Sequence, residues 1–207
     1  MKIFIAGATG RVGEELTSKL VEQGHVVYAG ARHEENLTAS DSVKPVHLDL
    51  HGTVSEIAET LADAEAVYFV AGSRGKDLLQ TDLFGAVKLM QATEQKKIKR
   101  YIHLSSLFAL QPKKWGEALT DYNISKFFSD NWLIDKTQLD YTILQPGALL
   151  ETTGDGKITT AITGRSENSI ENVASVLAAL LNHDNTIHKV ILMGDGKTAI
   201  EEALKQV

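Results

Sequence analysis

Seven short apolar runs recur along the chain: "KIFIAG", "VVYAGA", "VKPVHLDL", "AVYFVAG", "RYIHLSS", "YTILQPG" and "KVILMG". Most are nearly continuous in apolar residues, the pattern of strands covered on both faces rather than on one. Between them, at about 11–23, 53–61, 76–96, 121–136, 170–182 and 200–205, the spacing is helical. Such alternation predicts an α/β fold, a doubly wound, mainly parallel sheet of about seven strands with helices on both faces. With 207 residues, 43% of them hydrophobic, the chain has enough material for a sizeable core. No repeat, low-complexity tract or linker divides it, so residues 1–207 are expected to form a single domain.

An open sheet of this kind takes its ligands beyond the carboxyl ends of its strands. The two least regular stretches, 107–120 and 147–168, both follow strand ends. The second, with Gly154, Gly156 and Gly164, has the length and composition of a small substrate or lid region. Composition narrows the partners. A formal net charge of -6 leaves no broad basic surface for nucleic acid or for an anionic membrane. The absence of cysteine removes disulfides, thiolate zinc sites and a thiol nucleophile together. No segment approaches the roughly 20 apolar residues of a membrane span, and the N-terminal apolar run is too short for a secretory signal, so the chain reads as cytoplasmic. His47 and His51 have ligand-like spacing, but "HLDLH" follows a strand pattern and no metal is expected there.

The turn after the first run, "GATGRVG", places Gly7, Gly10 and Gly13 between a strand and a helix. Glycines are needed there for a tight turn, for close approach of the backbone to a pyrophosphate, and for packing of helix on sheet. The free amides at the start of that helix then face the phosphates, so the segment reads as a dinucleotide site. The second strand ends in Arg32, where an acidic residue would accept the ribose hydroxyls of NAD. An arginine suits a 2′-phosphate instead, and Arg11 adds a second positive group; on charge NADP is favoured over NAD. Glu34 and Glu35 stand close by and weaken that field, and a solvated surface arginine is the plainer alternative. Asp49 closes the third strand, where it can accept from the adenine amino group with Leu50 covering the ring, or can cap the next helix.

With these pieces in order the chain resembles the short-chain dehydrogenase/reductase superfamily, and within it the small atypical, NmrA-like and nucleotide-sugar-epimerase-like members with a Rossmann-type NAD(P)-binding fold. The resemblance is carried by "GATGRVG", "DL" at 49–50, "VAG" at 70–72, "LSS" at 104–106, "YNISK" at 122–126, "LDYTILQPGAL" at 139–149 and "IENVASVLAALL". It implies that Gly7, Thr9, Gly10, Arg11, Val12 and Gly13 surround the pyrophosphate and adenosine, and that Arg32 meets the 2′-phosphate. It places Asp49 and Leu50 at the adenine, Ala71 and Gly72 at the ribose, and Pro146 and Gly147 near the nicotinamide. Relatives often carry arginine before that proline, whereas this chain has Gln145.

In the superfamily a tyrosine, a lysine four residues later and an upstream serine form the reaction centre. The matching residues are Tyr122, Lys126 and Ser106. A tyrosine with a pKa of about 10 exchanges protons poorly near neutrality, and an adjacent ammonium favours its phenolate. In this scheme Lys126 supplies the ammonium and bonds the nicotinamide ribose, Ser106 orients the substrate oxygen, and Tyr122 gives or takes its proton. Ser105 is the neighbouring candidate, disfavoured by the alternation of side chains along a strand. Without the cofactor motif the same residues are a packed tyrosine, a solvated lysine and a strand-end serine. Trp115 has two readings, as a cover over the substrate or as an aromatic packed on its own loop.

The expected activity is NADP-dependent hydride transfer to or from a small carbonyl or alcohol. A cofactor-sensing binding protein without turnover is the alternative from another class. Nucleotide-sugar epimerisation ranks lower, because only about 60 residues follow Gly147 where full-length epimerases carry a larger substrate domain. Monomer and homodimer both stay open; the apolar positions of the 76–96 helix are explained equally by packing on the sheet.

Overall fold

The computed structural model describes residues 1–207. In chain order the elements are β1 (Lys2–Ala6), α1 (Arg11–Glu22), β2 (Val26–Ala31), β3 (Val43–His47), α2 (Val54–Thr60) and β4 (Ala66–Phe69). They continue with α3 (Ala86–Gln95), β5 (Arg100–Leu104), α4 (Thr120–Lys136), β6 (Asp140–Pro146), β7 (Ala148–Leu150) and β8 (Lys157–Thr159). The chain closes with β9 (Glu167–Ser169), α5 (Ile170–Ala179), β10 (Lys189–Asp195), β11 (Thr198–Ala199) and α6 (Ile200–Lys205).

The main sheet has the order β3-β2-β1-β4-β5-β6-β10-β8-β11. Its first seven strands are parallel and are the seven apolar runs of the sequence. The difference from seven strands lies in β8 and β11, a short antiparallel extension beyond β10. β7 and β9 form a separate parallel pair. All four additions are only two or three residues long, too short to show a period of their own.

Side-chain alternation along the strands builds two cores. Ile3, Ile5, Ile102 and Leu104 face one way, against Leu16 and Leu20 of α1 and Val173 and Leu177 of α5. Phe4, Tyr101 and Ile143 face the other, against Ile57 of α2, Leu89 and Met90 of α3 and Leu133 of α4. The sheet is therefore covered on both faces, which is why its strands are apolar throughout.

The stretch 76–96 is not uniform. Leu78–Gly85 is wound as a π-helix before α3 begins. Side chains hold this entry: Asp77 accepts from Thr81 Oγ1 at 2.6 Å and faces His51 Nε2 at 2.6 Å, while Asp82 Oδ2 accepts the Ser73 amide at 3.0 Å. Such side-chain bonds to nearby groups compete with regular helical winding.

Candidate functional site

The carboxyl ends of β1, β2, β4 and β5 open onto a cleft of about 850 Å³. That volume is within the usual span of small-molecule and cofactor sites. At its near end, Gly7 has a φ of +98°, and a Cβ there would lie 2.6 Å from the backbone of Ala71. The turn thus needs glycine on both counts. Gly13 serves the packing of α1: a Cβ would stand 2.2 Å from the Gly7 carbonyl oxygen, and Gly13 itself is buried and outside the cleft lining. Gly10 is the N-cap of α1, and no side chain caps that helix. Its first amides are left for a ligand, at the positive end of the helix dipole.

The cleft gathers Gly7, Thr9, Gly10, Arg11, Val12, Arg32, Asp49, Leu50, Ala71, Gly72, Tyr122 and Lys126. Gly13, Ser106, Pro146 and Gly147 are not in its lining. Pro146 is buried in register with Met193 at the end of β6. Gly147 is pressed on the β9 approach, where a Cβ would meet the Ser166 carbonyl oxygen at 2.1 Å. Ser106 is half-buried one residue past Ser105, and its carbonyl accepts from the Ala109 amide. Ser105, also outside the lining, donates to Asp130 Oδ2 at 2.6 Å.

Several open alternatives resolve. Asp49 does not cap α2, because Thr53 and Glu56 form a complete capping box there; Asp49 Oδ1 accepts the His51 amide at 2.8 Å. Glu34 and Glu35 are engaged by His47 and His33, at 2.8 and 3.1 Å. The His47 hydrogen bond holds Glu34 below the usual carboxylate range. Arg11 pairs with Glu151 at 3.1 Å, across the cleft. Trp115 is not in the cleft lining: it donates to the Phe108 carbonyl of its own loop and meets Phe127 of α4 edge-on at 5.9 Å. The end of that loop, Glu117 to Thr120, does reach the cleft.

Lys126 is 2% exposed, and its Nζ donates to the Leu104 carbonyl at 3.1 Å. The ammonium lies 5.3 Å from the Phe69 ring and 5.7 Å from the Tyr122 ring, within the reach of cation–π attraction. Tyr122 is half-buried above it. The helix α4 thus presents both side chains to one cavity from positions four apart.

Sequence reading missed His51, Arg74, Asp82 and Leu149 in the lining, and missed His103 and Asp130, which form a buried group with Ser105 and Gln145 beneath Lys126. The signal for that group was present in the strands: His103 and Ser105 are polar residues two apart at the end of a run otherwise apolar on both faces.

Three comparisons bear on this arrangement. The family described as NAD(P)H-binding matches residues 7–184. A Bacillus subtilis (strain 168) protein named as an uncharacterized sugar epimerase, YhfK, is 34% identical, with 100% of both chains covered. The crystal structure of the oxidoreductase YlbE from Lactococcus lactis superposes with a TM-score of 0.96 at 48% identity, covering 100% of this chain and 96% of that one. A Bacillus halodurans structure, named as a candidate NAD-dependent epimerase/dehydratase, has a TM-score of 0.90 at 30% identity, with both chains covered completely.

Proposed function

Because the chain belongs to the NAD(P)H-binding family, with a Rossmann-type fold, we propose that it is an NADP-dependent oxidoreductase acting on a small carbonyl or alcohol. The observation that carries this reading is that Tyr122 and buried Lys126 share one cleft with the uncapped start of α1. When bound, the cofactor supplies or accepts a hydride at its nicotinamide ring. The chain's residues bind, orient and exchange the proton.

In this reading the turn amides and side chains of Gly7, Thr9, Gly10, Arg11 and Val12 hold the pyrophosphate. Arg32 holds the 2′-phosphate, Asp49 and Leu50 the adenine, and Ala71 and Gly72 a ribose. Lys126 anchors the second ribose and keeps a positive charge beneath Tyr122. The Tyr122 hydroxyl donates a proton to a carbonyl oxygen as it is reduced, or takes one from an alcohol as it is oxidised. Ser106 is assigned to orient that oxygen, and the half-buried strand end that carries it adjoins Leu104, which does line the cleft.

Epimerisation of a nucleotide sugar would use the same tyrosine and lysine. The cleft lining, however, balances Arg11, Arg32, Arg74 and Lys126 against Asp49, Asp82, Glu117 and Asp121, and so carries no surplus of positive charge for a second diphosphate. Small uncharged substrates fit this lining better.

The test is a Tyr122→Phe variant, assayed with NADPH against aldehydes, ketones, quinones and flavins. General acid–base catalysis is worth about 10²- to 10⁴-fold, so turnover should fall at least 100-fold while NADPH affinity changes less than about two-fold. Unchanged turnover removes Tyr122 from the chemistry. Tight NADPH binding with no turnover by the unaltered protein favours the cofactor-sensing alternative.

A further inference from the structure

Beneath Lys126, outside the lining of the cleft, lies a buried group of polar side chains that neither cofactor binding nor proton exchange at Tyr122 uses. Asp130, one turn along α4 from Lys126, is fully buried. Its Oδ2 accepts from Ser105 Oγ at 2.6 Å and from Gln145 Nε2 at 2.9 Å. Its Oδ1 has no hydrogen-bond partner and faces His103 Nε2 at 3.4 Å. His103 is also fully buried, with both ring nitrogens unpartnered. Phe69 and Tyr101 hold that ring in a stack, at 5.1 and 6.2 Å. Buried polar atoms without partners are rare in native proteins and each calls for a reason. Here three of them meet beside a buried lysine.

The charges bearing on Asp130 are few. His103 faces it from β5 and Lys126 acts on it from its own helix, while Ser105 of the β5 end and Gln145 of β6 are neutral. The Tyr101 hydroxyl lies on the same face of β5, and burial raises its pKa well above the usual value, so it stays neutral. Lys126 has no carboxylate at ion-pair distance and rests on a carbonyl and two ring faces. An arginine at position 145 would hold Asp130 ionised; Gln145 does not. Burial pushes the Asp130 carboxyl up to about 7 and, with the Lys126 charge, keeps His103 well below its ordinary value. The carboxyl is therefore the group that gains or loses a proton near neutrality.

We propose that Asp130, with His103 as its proton neighbour, is a positioning residue that sets the charge beneath the nicotinamide, and with it the preference of the site for the oxidised or the reduced cofactor. This rests on the reading that the nicotinamide lies beside Lys126. The oxidised ring carries a positive charge and the reduced ring does not. With Asp130 ionised, its charge offsets Lys126 and the oxidised ring is accommodated. With Asp130 protonated, Lys126 is uncompensated and repels it.

The experiment is titration of the full-length protein with NADP⁺ and with NADPH from pH 6 to 8.5. The ratio of their dissociation constants, oxidised over reduced, should fall by roughly three- to ten-fold as pH rises, the size of one charge acting across about 10 Å of protein. The 2′-phosphate is common to both forms and cancels in the ratio. Asp130→Asn should hold the ratio near its low-pH value at every pH. A flat ratio in the unaltered protein, or one that still falls in Asp130→Asn, overturns the proposal. Carboxyl ¹³C spectra of the ligand-free unaltered protein give a check that needs no variant to fold: an Asp130 ionised throughout pH 5 to 9 also overturns it. Lys126→Met separates the two readings. If it leaves both affinities unchanged, the placement of the nicotinamide has failed and the proposal falls with it. If it weakens binding while the unaltered ratio is flat, only the role of Asp130 has failed.

Discussion

Arg32 is exposed at the cleft, and the two acids nearest in sequence are engaged elsewhere, Glu34 with His47 and Glu35 with His33. Its guanidinium is left to a ligand, and a charge-assisted bond to a phosphate contributes about 1.5 to 3 kcal/mol. Arg32→Ala should therefore weaken NADPH by roughly ten- to 100-fold and NADH by less than two-fold, measured by fluorescence titration of each. Equal losses would remove Arg32 from the phosphate. The position of this arginine was legible in the sequence because a strand end fixes where its side chain emerges. The release from Glu34 and Glu35 was not, since the histidine partner of Glu34 comes from another strand. Asp130 was hidden for a related reason. On an amphipathic helix a polar residue reads as solvent-facing, and its partners Ser105 and Gln145 are 25 and 15 residues away.

At the scale of elements, the glycine turn and α1 behave as one piece. The two glycines at its helix end make different demands. Gly10 has a φ of -82°, and a Cβ would come no closer than 3.2 Å to the Gly7 oxygen. At Gly13 the same oxygen would be 2.2 Å away, with the Ala8 Cα at 2.9 Å, so α1 must move off the turn. Gly13→Ala is expected to cost about 1 to 3 kcal/mol in urea unfolding, as overpacking of a tight contact does, and to weaken cofactor binding as the amides shift. Gly10→Ala should cost less than half as much. Comparable losses at both would mean that the spacing of α1 from the turn does not govern the site. The longer helices α1, α3, α4 and α5 were legible because each carries about three or more turns of periodic residues. The π-wound entry to α3 was not, because it depends on Asp77 and Asp82 reaching His51 and Ser73, residues that only the folded chain brings near.

Across the whole molecule, the C-terminal part reaches back over the cleft formed by the N-terminal strands. Arg11 meets Glu151, and Leu149 joins the lining. One carboxylate anchors much of this arrangement. Asp195, at the end of β10, accepts the Ser169 amide at 2.8 Å and the Asn172 side-chain amide at 2.9 Å. Asn172 in turn holds the Gly156 amide, and Asn168 the Gly147 amide, through their side-chain oxygens. None of these bonds showed in the sequence, where 147–168 reads as a small substrate or lid region with no sign of what holds it. Asp195→Ala removes the acceptor of the Asn172 side-chain amide and, at 3.5 Å, of the Asn168 side-chain amide, and at an exposed position this should cost about 1 to 3 kcal/mol, confined to this segment. Hydrogen exchange should accelerate in the amides of 147–169 while those of β1, β4 and β5 keep their protection, because the two cores do not include Asp195. Cofactor affinity should fall modestly, since Leu149 and Glu151 lose their fixed approach to Arg11. Uniform acceleration across the sheet would show instead that the segment has no stability separate from the whole.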